Sequence, residues 1–496
     1  MPVSPPPSAP QPLAPPKEVP QVAGASAAGS GDKKPMMAQI SGSPLKFLPF
    51  VVIGVILLAV VGFVAMRFLG GSSSTSVSTT PTTPSTNTST KGTANPSTAP
   101  ATTTGAAKTI VYWGLWEPSE VMTQVLQDFE KQNPGLKVDY RKQSYQDYRE
   151  RLQTAIASQN GPDVFRFHAS WTSMLRDELA PMPSSVMSAA EYRQTFVPAA
   201  STQLQLNGQI VGIPLMYDSL ALYYNKDIFT AAGVQPPESW AELKTLASQL
   251  TVKSSAGIER GGLAIGNASN VEHFADIIGL LMYQNGADPA NPTSVEAQDA
   301  LKFYTNFVLA DKVWDDKLPN STVAFARQEA AMMFAPSWRI HEIMAINPSL
   351  KFGVIPVPTL GGDRLVWPTY WAEGVNSKGK NKDDSWKLLK YLSSADVMKK
   401  LYSEQSQVRT FGALYSRTDL AKTLESDPNL RAFYADSDKA KNWYLNSYTH
   451  DKGVNDNMIK YYEDAINAML GGKKAEEVTK TLSEGVKQVL RQYTGQ

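Results

Sequence analysis

Apolar residues along most of this chain recur at two alternating periods, and the switches between them outline strands and helices in turn. Residues 109–113 form a short β-branched run, and beyond Ser119, taken as a cap, Met122, Val125, Leu126 and Phe129 follow helical spacing. Asn133-Pro-Gly135 stops that helix, and 136–140 alternates as a second strand. Tyr148, Leu152, Ala155 and Ile156 mark a helix ended by Asn160-Gly-Pro162, after which 163–168 reads as a third strand. Strand, helix, strand, helix, strand in short order implies parallel pairing in an α/β fold. Asn207-Gly208 signals a hairpin between 203–206 and 209–213. From 212 to 243 the pattern gives a strand, a crossing segment, a short helix stopped by Gly233, a proline turn and a helix opened by the capping box Ser239-Trp-Ala-Glu242. Helices are predicted over 271–284, 295–309, 324–332 and 340–346, a strand over 352–358, and a helical C-terminal part from Ser385.

The first 108 residues break this pattern. The run 47–66 is twenty uncharged, mostly apolar residues, which as a helix is ~30 Å long, about the hydrocarbon thickness of a bilayer. Pro49 falls in its first turn, where a missing N–H costs little. As a cleavable signal it would carry a 46-residue leader, and no small-x-small site follows, so an uncleaved transmembrane helix (47–69) is predicted. Lys33, Lys34 and Lys46 precede it and only Arg67 follows closely, which places the N-terminus in the cytoplasm and the C-terminal region outside the cell. Residues 1–46 read as a disordered, proline-rich tail, and 70–108 as a Ser/Thr/Pro-rich linker too polar to offset its ordering entropy.

Of 47 basic and 46 acidic residues, seven and two lie in the first 108, so the remaining 388 carry a net charge of −4 with no basic run. That leaves no electrostatic footprint for nucleic acid, and no nucleic-acid partner is expected. The absence of cysteine excludes disulfides, thiolate metal sites and a lipid-modified N-terminal cysteine. Four dispersed histidines argue against zinc; His341-Glu342 lacks the second histidine of the zinc-protease pattern, and 451–457 lacks calcium-loop spacing. There is no nucleophile elbow and no phosphate-binding glycine loop. No cofactor, metal or catalytic residue is therefore expected, although a carboxylate pair for glycoside hydrolysis stays open on sequence alone.

The stretch Gly212-Ile-Pro-Leu-Met-Tyr-Asp218 through Tyr223-Tyr224-Asn-Lys-Asp227 to Gly233, running on to Trp240, resembles the crossover segment of bacterial extracellular solute-binding proteins of the maltose-binding kind. Further blocks match in order: Phe129-Glu-Lys-Gln-Asn-Pro134, Gly161-Pro-Asp163, Phe325 to Trp338, Pro356-Val-Pro358 and Trp371-Ala-Glu-Gly374. The resemblance implies a two-lobed periplasmic-binding-protein fold (type II) over 109–496, with lobe one at 109–216 and 373–412 and lobe two at 217–372 and 413–496. It also implies a monomeric carbohydrate receptor working with ABC transporter permease subunits by hinge closure. A surface sugar sensor or adhesin on the same fold, and a glycoside hydrolase, stand as alternatives.

A sugar site needs flat aromatics for C–H faces and planar polar groups for hydroxyls. On that logic and by the family's positions, the expected ligand contacts are Trp338, Asp218, Tyr217, Trp116, Glu117, Ser170, Trp171, Trp371 and Glu373. Core packing is the competing reading for Trp338, and a hinge or helix-cap role for Asp218. His168, Tyr145, Tyr283 and Arg409 are secondary candidates, and Trp240 and Trp386 are assigned to packing. Iron ligation by Tyr223-Tyr224 or Tyr461-Tyr462, as in iron-binding members of the family, is the disfavoured reading.

Overall fold

The computed structural model describes residues 107–362 and 364–494, all within a compact unit spanning 99–496. The expected cytoplasmic tail, membrane helix and nearly all of the linker lie outside the described residues. Among those described, no helix is long and apolar enough to cross a membrane.

The first lobe forms around a five-stranded sheet. β1 (Lys108–Gly114), α1 (Ser119–Gln132), β2 (Leu136–Lys142), α2 (Tyr148–Ala157) and β3 (Val164–His168) follow each other as expected, with β1 parallel to both β2 and β3. The cap of α1 is Pro118 rather than Ser119, which is the first helical residue. All five residues of β3 are buried, so it carries Arg166 and His168 into the interior. After α3 (Ala189–Thr195), α4 (Pro198–Gln203) and the Asn207-Gly208 hairpin of β4 (Gln205–Leu206) with β5 (Gln209–Ile210), β6 (Ile213–Pro214) takes the sheet's edge.

The chain then enters the second lobe at β7 (Ala221–Asn225). Asn225 caps α5 (Lys226–Ala232) through the Ile228 N–H, and Gly233 ends it at φ 67°, a conformation that favours glycine. The capping box at Ser239 and Glu242 opens α6 (Trp240–Leu250) as predicted. A small hairpin of β8 (Val252–Ser254) and β9 (Gly257–Arg260) precedes α7 (Phe274–Gln284), α8 (Val295–Leu309) and α9 (Ser321–Ala326). The helix predicted over 324–332 is not one element. It ends at Ala326, Gln328 turns with φ 66°, and β10 (Met332–Ala335) is a wholly buried strand. α10 (Arg339–Ile346) and β11 (Phe352–Pro356) follow, and β7 lies antiparallel between β10 and β11.

β12 (Trp371–Val375) returns to the first sheet, antiparallel to β3 and β6, with Glu373 opposite Arg166 and Trp371 opposite His168. α11 (Lys382–Leu392) and α12 (Ala395–Ser406) cover that lobe. α13 (Thr418–Leu424) still packs on α3, and Val197 N–H donates to the Ser416 carbonyl, so the chain stays on the first lobe beyond the expected turn at 412. α14 (Val454–Leu470) and α15 (Ala475–Tyr493) pack together against α8.

Three crossing segments meet between the lobes. Leu220 N–H donates to the Trp367 carbonyl and Thr369 N–H to that of Asp218, so the first two run side by side. Tyr217 N–H donates to the Leu414 carbonyl and adds the third. Trp240, stacked on Phe334, and Trp386 are both buried, in keeping with their packing roles.

Candidate functional site

Between the lobes lies a cavity of about 550 Å³, within the usual size of small-molecule sites. Its walls come from the ends of elements in both lobes and from the crossing segments.

On the first lobe, Trp116 follows β1 and Trp371 opens β12. Their rings meet edge to face at 5.5 Å, and Tyr145 stacks on Trp116 at 6.0 Å. On the second lobe, Trp338 precedes α10 and meets Tyr448 at 5.6 Å and 76°. His450 lies 4.6 Å from Tyr145 and 5.9 Å from Tyr448, which joins the two groups. The result is a continuous belt of rings from Trp371 round to Trp338. Trp338 and Tyr448 are each 37% exposed and Tyr145 43%, an unusual exposure for such large rings unless they serve a surface that binds.

Arg339 holds the second-lobe end of the belt. Its guanidinium lies over both Trp338 and Tyr448, at 4.2 and 4.5 Å from their centroids, and pairs with Glu272 and Glu342. Its Nε donates to His273 Nε2 at 3.2 Å, leaving His273 Nδ1 to donate to Asp276.

Two carboxylates line the cavity, and neither is free. Glu117 accepts from Arg166 and from Gln405 Nε2 at 3.0 Å. Arg166 is buried between Glu117 and Glu373; burial opposes its charge, but the two carboxylates hold its pKa well above the ordinary value. Asp218 accepts from Ser219 N–H, Ser337 N–H and the Ser337 hydroxyl, the last at 2.6 Å. Burial pushes its pKa up to about 7. Asp218 therefore ties the first crossing to the loop that presents Trp338.

Of the nine expected contacts, the cavity brings together Trp116, Glu117, Tyr217, Asp218, Trp338 and Trp371. Ser170, Trp171 and Glu373 do not line it. Trp171 is buried, edge-on behind Trp371 at 5.2 Å, and supports that ring. Glu373 points into the core, where its pairing opposite Arg166 and the Tyr112 hydroxyl at 2.9 Å claim one of its oxygens. Ser170 bonds His168 Nδ1 and Asn455 Nδ2, at 2.7 and 2.8 Å. That last bond links the lobes, as do Arg149 Nε to the Asp451 carbonyl at 2.6 Å and the Asp147–Lys452 ion pair.

Among the secondary candidates, Tyr145, His168 and Arg409 line the cavity. Tyr283 does not; its ring sits beneath Lys441. Burial takes the His168 pKa down to about 3, so its imidazole is neutral. The paired tyrosines are structural, with the Tyr223 and Tyr462 hydroxyls donating to the Pro336 and Pro289 carbonyls.

Tyr448, His450, Arg339 and His341 are cavity residues that the sequence reading did not select. Tyr448 and His450 lie on the loop Ser447-Tyr-Thr-His-Asp-Lys-Gly453 before α14, whose only sequence signal is its mix of aromatic and polar residues. Tyr448, His450 and Lys452 all take positive φ there (62°, 52° and 44°), strain of the kind concentrated at binding loops.

A two-lobed α/β receptor with an aromatic-walled cleft at its crossing segments is the class these features define. Residues 124–432 match the family profile described as bacterial extracellular solute-binding protein, and the chain belongs to that family. It is 24% identical over 301 residues to the multiple sugar-binding protein of Streptococcus mutans, covering 58% of this chain and 71% of that protein. The maltotriose-binding protein of Pyrococcus abyssi is 21% identical over 342 residues, covering 65% and 70%. Among solved structures, the sugar-binding protein MalE of Xanthomonas citri superposes with a TM-score of 0.64 at 22% identity, covering 78% of this chain and 98% of that one. A solute-binding protein of Thermotoga lettingae bound to α-D-tagatose gives 0.61 at 22%, covering 77% and 100%. The relatives are binding proteins rather than enzymes.

Proposed function

We propose that this chain is a saccharide receptor of an ATP-driven importer, tethered to the outer face of the cell membrane by its own helix. The observation that carries the reading is the ring belt. Trp371, Trp116, Tyr145, Tyr448 and Trp338 give several flat apolar faces round one cavity, which suits the C–H faces of sugar rings. The sugar-binding names of the Streptococcus mutans and Pyrococcus abyssi relatives point the same way. Ligand enclosed between lobes joined by three crossing segments favours hinge closure, and the closed form is what permease subunits would recognise. The apolar run 47–66, with lysines before it, supports the tether and the outward orientation.

A hydrolytic role finds little support in the site. Glu117 is locked by Arg166 and Gln405, and Asp218 accepts from Ser337 and Ser219, so both carboxylates are engaged by donors of the protein itself.

The test uses the purified full-length chain in a detergent without a sugar head group. Mono- and oligosaccharides are screened by thermal unfolding and tryptophan fluorescence. A ligand at a hundred times its Kd stabilises by about 2.7 kcal/mol, a shift of a few degrees in Tm. No response to any saccharide sinks the assignment. Retention in membranes through alkaline washing is expected of the tether, and release contradicts it.

A further inference from the structure

One cleft guanidinium has donors that no acceptor among the described residues takes up. Arg409, on the approach to the third crossing, lines the cavity near Phe411. Its Nε and Nη2 are buried and have no hydrogen-bond partner among the described residues, and it forms no ion pair with any of them. The other cleft guanidinium, Arg339, is neutralised by Glu272 and Glu342. Burial lowers the Arg409 pKa; the Glu117 charge opposes that shift, although Arg166 and Gln405 already donate to the Glu117 oxygens. Tyr402 also lies within electrostatic range, while Arg166 opposes the charge.

From the second lobe, His341 adds another donor or acceptor without a mate. Its Nδ1 is buried and unpartnered, and its ring lies 4.3 Å from that of Phe411. Burial and the Arg409 charge push its pKa down to about 4, so it contributes no second positive charge at neutral pH. Arg409 and His341 thus converge from opposite lobes on the same part of the cavity.

A neutral hydroxyl would satisfy one N–H and leave the other without an acceptor. A carboxylate accepts from Nε and an Nη nitrogen in parallel and so satisfies both donors.

We propose that the ligand is an acidic saccharide, a uronate whose carboxylate pairs with Arg409 while its ring faces lie against the aromatic belt. This rests on the saccharide reading above and narrows it. The carboxylate also gives the lobes a common target, because His341 meets it from α10.

Calorimetric titration of the full-length chain, in the same kind of detergent, tests the proposal. The probes are oligomers of glucose, galactose and mannose, the matching uronate oligomers, the sugar phosphates, and succinate and citrate. The expected result is a uronate oligomer that binds at least about tenfold more tightly than its neutral counterpart. Arg409→Gln abolishes that preference without lowering the Tm of the ligand-free protein, and Arg409→Lys restores part of it. Equal or tighter binding of the neutral sugar overturns the proposal and leaves the saccharide reading standing, as does a preference unchanged in Arg409→Gln or one for the sugar phosphate. Binding confined to succinate or citrate, or no binding at all, overturns both.

Discussion

Asp218 shows how a residue singled out as a ligand contact acts through its neighbours. Its carboxylate lines the cavity, yet Ser337 and Ser219 donate to it, so its main work is to position Trp338. These contacts fit the hinge role weighed in the sequence, while its place on the cavity wall fits a ligand contact. Its pKa of about 7 lies above the ordinary value of 3.8, so between those limits the folded state holds a proton that the unfolded chain has lost. Asp218 therefore adds stability below about pH 4 that disappears as pH rises through 7. His168 has the opposite sign. Its pKa of about 3, against 6.5, makes its contribution complete above 6.5 and lost as pH falls toward 3. The two offset each other between about 4 and 6.5, so Asp218→Asn is expected to steepen the loss of stability on acidification. Unfolding followed from pH 7 to 4.5 checks this, and an unchanged pH slope refutes it. Trp116, Trp338 and Trp371 were legible as cavity residues because they lie at the ends of elements, after β1, before α10 and at the start of β12. Trp171 and Glu373 were not, because strand register decided that one backs Trp371 and the other meets Arg166.

At the scale of elements, caps and turns were the readable part. The capping box at Ser239, the glycine stop at Gly233 and the Asn207-Gly208 hairpin depend on local chemistry, and each sits where its residues predict. The stretch 324–332 misled because its apolar residues on either side of Arg327-Gln-Glu329 were read as one helix, when they belong to a helix and to the approach to a buried strand. Only pairing with β7 distinguishes them. The cap of α5 lends itself to measurement. Asn225→Ala removes the acceptor for the Ile228 N–H and is expected to cost about 1 kcal/mol, seen as a lower denaturation midpoint. Gly233→Ala forces a Cβ onto φ 67° at a cost of about 1 kcal/mol. Loss of less than a few tenths of a kcal/mol in both variants contradicts the assigned caps.

At the scale of the whole molecule, function follows from the chain passing three times between lobes. Each passage delivers cavity residues: Tyr217 and Asp218 on the first, Thr369 and Tyr370 on the second, and Phe411 to Leu414 on the third. Opposite the crossings, Tyr145 meets His450 and Asp147 pairs with Lys452, so the cleft is bounded by the crossing segments on one side and lobe contacts on the other. The order of blocks made the two lobes foreseeable. The third crossing was harder to locate, since its boundary is set by α13 packing on α3 rather than by any break in the sequence. The central claim is that a saccharide binds against the ring belt in this cleft. Calorimetric titration of a binding saccharide into the full-length chain and its Trp116→Ala/Trp338→Ala variant measures that directly. The account predicts one ligand per chain and affinity at least about tenfold weaker in the variant, which loses one ring from each lobe. Equal affinity in the two proteins would place the ligand elsewhere and contradict it.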